Sequence, residues 1–210
     1  MNTENFKAEE GAKALSFQGT GAMRLYRFAF LSVLVLVSPL VFSQPITGSF
    51  VNAALFLSVV FFGFRKESFL IATVPSLVAV STGQLPVAFA PLVPFIMAGN
   101  LLLVFVADRG FRNGFSHPSP SRTQELPSER GAGDALGATV RPYVTTAVVA
   151  AVAKSALLFT VGLAFSLTLF RGTSLSGTVL TVFGWLQLAT ALAGAAIAFG
   201  VLRILRREER

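Results

Sequence analysis

One lysine interrupts an apolar run long enough to cross a membrane. Lys154 lies 13 residues after Arg141 and 16 before Phe170, near the middle of that run. A span rises ~1.5 Å per residue through a hydrocarbon core of about 30 Å, so mid-span is about 15 Å from either interface. A lysine stem reaches about 6 Å, and snorkelling alone does not bring its ammonium to water. Lys154 is therefore expected to face the interior of a helix bundle. There it is charged against an anionic or carbonyl group of a ligand or a structural carbonyl or amide, or it is neutral.

Asn52, Asn100 and Gln187 are the next polar groups set in otherwise apolar stretches. Each has two readings. Interhelical amide bonds in membranes contribute about 0.6 kcal/mol on average; alternatively, the three amides and Lys154 form one polar pocket shared by four helices. Thr47 and Gln84 lie at span ends and are placed to cap such a pocket. Trp185 lines it or packs beside it. The candidate solute-binding residues are thus Asn52, Asn100, Lys154, Gln187, Gln84, Thr47 and Trp185.

The missing residue types also direct the reading. No Asp or Glu falls inside an apolar run, the single His is His117, and the chain has no Cys. A proton relay through the membrane needs titratable carboxylates or imidazoles there. General acid–base pairs and hydrolytic metal sites need the same groups, and thiolate chemistry needs cysteine. Neither an enzyme nor a metal or cofactor is expected.

The elements that must position these residues are six apolar spans, at 25–42, 46–64, 68–82, 86–106, 142–170 and 178–204. The third is short and contains Pro75; the fourth carries Pro91 and Pro94. Hydrophobic residues make up 53% of the chain and charged residues 13%, about half the charge of an average soluble domain. Short or Pro-broken helices at membrane depth often mark a site, because their freed backbone groups need partners. Ala147, Ala150 and Ala151 in the fifth span, and Ala191, Gly194, Ala195 and Ala198 in the sixth, recur at helical spacing and allow close helix packing.

All but Lys154 and Arg171 of the 17 Lys and Arg residues fall in four clusters that alternate with the long apolar runs. The clusters are the N-terminal tail, the Arg65-Lys66 link, the stretch from Arg109 to Arg141 and the C-terminal tail. The links at 43–47 and 82–85 carry no charge. This is the positive-inside pattern; it predicts an all-α polytopic membrane protein of six transmembrane helices with both termini in the cytoplasm. The basic residues flank apolar spans instead of forming one stripe with interleaved aromatics, so nucleic acid is not an expected partner. The lipid bilayer is. The first twenty or so residues are polar and the first apolar run is too long for a leader's h-region, so no cleaved leader is expected.

The organisation reads as a cytoplasmic N-terminal tail (1–24), four helices (25–107), a cytoplasmic linker (108–140), two helices (141–204) and a basic cytoplasmic tail (205–210). The linker is rich in Ser, Pro, Gly, Arg and Glu, too polar to bury a core of its own. It reads as a flexible tether.

Several strings occur together in a characteristic order. They are Pro45-Ile46-Thr47-Gly48-Ser49-Phe50-Val51-Asn52-Ala53, Pro75-Ser76-Leu77, Thr82-Gly83-Gln84-Leu85-Pro86, Ala90-Pro91-Leu92-Val93-Pro94-Phe95-Ile96-Met97-Ala98-Gly99-Asn100-Leu101, and Ala150-Ala151-Val152-Ala153-Lys154. In order and spacing they resemble the substrate-binding (S) components of prokaryotic energy-coupling factor (ECF) transporters, over residues 45–204 without the linker. The resemblance implies a six-helix subunit in the plasma membrane of a prokaryote. It would bind a small vitamin-like or precursor molecule near the outer face and work with a transmembrane scaffold subunit and ATPase subunits. The alternative from a different class is a non-transporting membrane scaffold or accessory protein whose polar residues only join helices. Convergence of Lys154 and the amides on one cavity at the uncharged end would separate the two.

Overall fold

The computed structural model describes residues 21–116, 132–173 and 175–208. Among them there is no strand; seven α-helices and one 3₁₀ turn make up the described fold. The helices are α1 (Gly21–Val41), α2 (Gln44–Phe62), α3 (Lys66–Ser81), α4 (Val93–Ser116), α5 (Ala132–Thr168), α6 (Leu175–Phe183) and α7 (Trp185–Glu208), with a 3₁₀ helix at Val87–Leu92.

Five segments are long and apolar enough to cross a membrane: Gly21–Val41, Gln44–Phe62, Val87–Asn113, Val140–Thr168 and Leu175–Leu205. They fit a multi-pass membrane protein. The expected third span is the exception. Helix α3 has 16 residues, which at ~1.5 Å per residue is about 24 Å, short of a hydrocarbon core. Its flanking links extend it. At its start Glu67 pairs with Arg24 near the beginning of α1 at 2.7 Å. Just past its end, Gln84 bonds the backbone of Phe42 at the far end of α1. Helix α3 and its links therefore run from one end of α1 to the other.

Glycine and proline set the breaks. Pro45 occupies the first turn of α2, where its missing N–H would have had no intrahelical partner. Gly63 ends α2 at φ +67°, and Gly83 follows α3 at φ +75°, a region that side chains with a Cβ rarely enter. Pro91 lies in the 3₁₀ helix, so the expected fourth span is two pieces joined at Leu92–Val93. The expected sixth span is also broken, at Gly184 between α6 and α7. A Cβ at Gly184 would stand 2.4 Å from the Leu180 carbonyl oxygen, so the break depends on glycine.

Helix α2 is the centre of the bundle, with Val51, Asn52, Ala53, Ala54, Leu55, Phe56, Leu57, Ser58 and Val59 all buried in succession. A helix apolar on every side belongs in such a position. It packs on α7, whose Ala191, Ala195 and Ala198 are buried. At Gly194 the approach is closest: a Cβ there would lie 2.6 Å from Asn52 Cβ and 2.7 Å from the Ala53 nitrogen. Helix α4 meets α5 through Gly99 against Leu158 and Gly110 against Thr146. A second apolar cluster, including Leu85, Phe89, Leu92, Leu158, Phe170, Val179 and Phe183, packs the end that carries the 82–86 link.

The opposite end gathers charge. Arg27 stacks over Phe61 at 4.8 Å. Buried Asp108 accepts from the Phe64 amide at 3.1 Å and from Arg112 Nε at 3.0 Å, which ties the α2–α3 link to α4. Tyr143 stacks on Phe111 and donates to the Ala195 carbonyl at 2.9 Å.

Helix extends into the segment assigned to the linker: α4 continues to Ser116 and α5 begins at Ala132. Helix α7 likewise continues to Glu208, into the expected basic tail. The stretch 117–131, with His117 and the Ser-Pro repeats, and most of the N-terminal tail, 1–20, lie outside the described residues.

Candidate solute-binding site

Lys154 projects from α5 into the bundle and is 3% exposed. Its Nζ donates to Asn52 Oδ1 on α2 at 2.6 Å. Asn52 Nδ2 donates in turn to Thr190 Oγ1 on α7 at 3.3 Å, and Thr190 Oγ1 donates to the Gln187 carbonyl at 3.2 Å. The donors all run one way, from the ammonium to a backbone oxygen. That order orients the Asn52 amide, because only its oxygen can accept from Lys154 and only its nitrogen can donate to Thr190.

An ammonium carries three donors, and Asn52 takes one. Among the described residues no Asp or Glu lines the cavity around it. Glu67 and Asp108 are engaged at the charged end with Arg24 and Arg112. A buried ion without a counter-charge costs several kcal/mol, of order 5, even after relaxation. A neutral amide dipole offsets only part of that.

The cavity itself is about 110 Å³. Its walls come from α2, α3, α4, α5, α6, α7 and the 82–86 link, and it reaches Gln44 and Gln84 at the uncharged end. The structure brings Thr47, Asn52, Gln84, Asn100, Lys154 and Gln187 to this one cavity. Trp185 is elsewhere: it is 67% exposed on the outside of the bundle and does not line the cavity. It is two residues from Gln187, which puts it about 200° away around a helix.

Asn100 reaches across from α4 and donates to the Ala72 carbonyl on α3 at 2.9 Å. Ala72 is three residues before Pro75, whose ring disturbs the preceding turn of a helix; Asn100 supplies that turn with a donor. At the mouth, Thr47 Oγ1 donates to the Ser38 carbonyl at 3.0 Å, with the Phe42 carbonyl at 3.2 Å. Gln84 Nε2 donates to the same Phe42 carbonyl and contacts Thr47 Oγ1 at 3.3 Å. The 82–86 link is thereby tethered over the entrance.

Thr190 and Ser76 are among the lining residues that escaped the sequence reading. Thr190 is one helical turn after Gln187 and shares its face, a signal the spacing carried. Ser76 follows Pro75 and buries its hydroxyl at the cavity wall with no hydrogen-bond partner among the described residues. Among the described residues there is no group of three or more His, Cys, Asp or Glu able to hold a metal.

No family model, curated protein or solved structure matches this chain.

Proposed function

We propose that this chain is a membrane-embedded solute-binding subunit for uptake, of the S-component type, in the plasma membrane of a prokaryote. It crosses six times, with α3 and its links as the short third pass, and holds both termini in the cytoplasm. The solute is a small vitamin-like or precursor molecule that enters from the uncharged side. A separate transmembrane scaffold subunit and ATPase subunits drive its passage; the chain itself catalyses nothing.

The observation that carries this reading is the convergence of Lys154, Asn52, Asn100 and Gln187 on one cavity that reaches the uncharged 43–47 and 82–86 links. Sites for drug-sized ligands run to about 300–1,000 Å³, well above the present cavity. A solute of a few heavy atoms is accommodated as the cavity stands. A vitamin-sized one requires the tethered 82–86 link to move outward.

A thermal-stability screen of the detergent-purified protein against vitamins and their precursors tests the reading. A ligand at 100 times its dissociation constant adds about 2.7 kcal/mol of stability. A shift abolished by Lys154→Ala, in a mutant that remains folded, supports it. The second reading, a non-transporting scaffold or accessory protein, draws on the Asn100–Ala72 and Asn52–Thr190 bonds, which join helices without any ligand. No shift across the panel, with Lys154→Ala as stable as the parent, favours that reading.

A further inference from the structure

We infer that the cavity takes a small monocarboxylate, its charge set against the Lys154 ammonium and an oxygen accepting from the Ser76 hydroxyl. The inference rests on the solute-binding reading and names the class of solute.

Three observations lead to it. Among the described residues Lys154 is the charged side chain of the cavity, and the other polar lining groups are neutral amides and hydroxyls. Its partner, Asn52 Oδ1, occupies one donor and supplies no net charge, so an anion of charge −1 completes the site and a dianion overcharges it. Ser76 presents a buried hydroxyl at the same cavity with no partner among the described residues. Buried polar groups are rarely left without a partner, and a hydroxyl free to donate suits a carboxylate oxygen. At about 110 Å³, the volume suits a carboxylate bearing only a short chain.

Asn100 and Asn52 refine the match. Both amide nitrogens are engaged, on the Ala72 carbonyl and on Thr190. Those bonds hold the walls in place, while Lys154 supplies the ionic donor and Ser76 a hydroxyl donor at the same cavity. A neutral amide of the same shape would satisfy Ser76 and leave the ammonium without its counter-charge.

The test is a thermal-shift titration of the full chain in detergent and sulfate-based buffer. The probes are acetate, propionate and lactate, against acetamide, propionamide and chloride. The expected result is a concentration-dependent rise with the carboxylates at least tenfold more potent than the amides. Ser76→Ala weakens the response several-fold without lowering the unliganded midpoint. Asn52→Asp places a carboxylate where the amide oxygen sits against Nζ; it is expected to fold and to weaken carboxylate binding at least tenfold. It stands in if Lys154→Met fails to fold.

Equal response to amides and carboxylates, response to chloride alone, or full carboxylate binding in Asn52→Asp each overturns the inference. A Lys154-dependent vitamin hit without any response to short carboxylates also overturns it, and leaves solute binding intact. Silence in both panels overturns the inference, and with Lys154→Ala as stable as the parent it removes the solute-binding reading as well.

Discussion

Lys154 Nζ and Asn52 Oδ1 meet at 2.6 Å across 102 residues of sequence, at the point where α5 and α2 face the cavity. Each side chain limits what the other tolerates. Asn52→Leu leaves a buried ammonium without its acceptor, and hydrogen bonds to charged groups are worth roughly 1.5–3 kcal/mol. Lys154→Met removes the charge and the need together. The double variant Lys154→Met/Asn52→Leu is expected to be more stable than Asn52→Leu alone, since replacing both partners by apolar groups is close to neutral. Unfolding midpoints of the four proteins in one detergent measure the coupling; strictly additive effects would mean that the bond does not contribute.

Gly194 sets how closely α7 approaches α2. A methyl group there would lie 2.6 Å from Asn52 Cβ and 2.8 Å from the Ser49 carbonyl, and forced overpacking typically costs about 1–3 kcal/mol. Gly194→Ala should therefore lower the midpoint and disturb Asn52. Gly200 is the control, because a Cβ there would meet nothing within 4 Å. Gly200→Ala should be neutral or stabilising by up to ~1 kcal/mol, as expected for glycine replaced inside a helix. Equal losses at both positions would place the cost in the helix and not in the packing.

The absence of cysteine makes single-cysteine labelling clean. Gln84 tethers the 82–86 link to the Phe42 carbonyl and to Thr47. Gln84→Leu removes both donations from a half-buried position at the cavity mouth, each worth about 0.5–1.5 kcal/mol net. A cysteine introduced by Ser76→Cys should then react several-fold faster with a small polar thiol reagent. Unchanged labelling would show that the tether does not govern entry.

Topology is open to the same approach. Thr82→Cys and Lys66→Cys flank α3, one in the uncharged link and one in the basic link. In intact cells an impermeant reagent should label Thr82→Cys and reach Lys66→Cys only after permeabilisation. Labelling of both from the same side would mean that α3 does not cross and that the chain has five spans.

At the charged end, Asp108 holds the amide of Phe64 and the guanidinium of Arg112. Asp108→Ala leaves the amide without its acceptor at a buried site and should cost about 1–3 kcal/mol. It should leave ligand response at the distant cavity unchanged, which separates a stability effect from a binding one.

The helical class and the long spans were legible because hydrophobic length and charge placement are properties of consecutive residues. The bilayer requirement acts on each segment separately. Lys154, Asn52, Asn100 and Gln187 stood out for the same reason: a polar group in an apolar run is visible without knowing its neighbours. The breaks were less legible. Gly184 reads as one more small residue in an apolar span, and only the position of the Leu180 carbonyl shows that a Cβ would not fit there. The helical ends at Ser116 and Ala132 were hidden by polar composition, which signals exposure and does not exclude helix.

Sequence alone thus determined which segments are apolar enough for a membrane, where positive charge lies, and that one lysine is stranded among aliphatic residues. Only the tertiary structure decided which way each polar side chain faces and what it meets. Trp185 and Gln187 are two residues apart yet lie on different sides of α7, because a helix turns about 100° per residue. Ser76 and Thr190 entered the cavity wall, and the Lys154–Asn52 bond closed, only once α2, α3, α5 and α7 were packed. Those are long-range relationships, set by the close approach that Gly194 permits and not by any local run of residues.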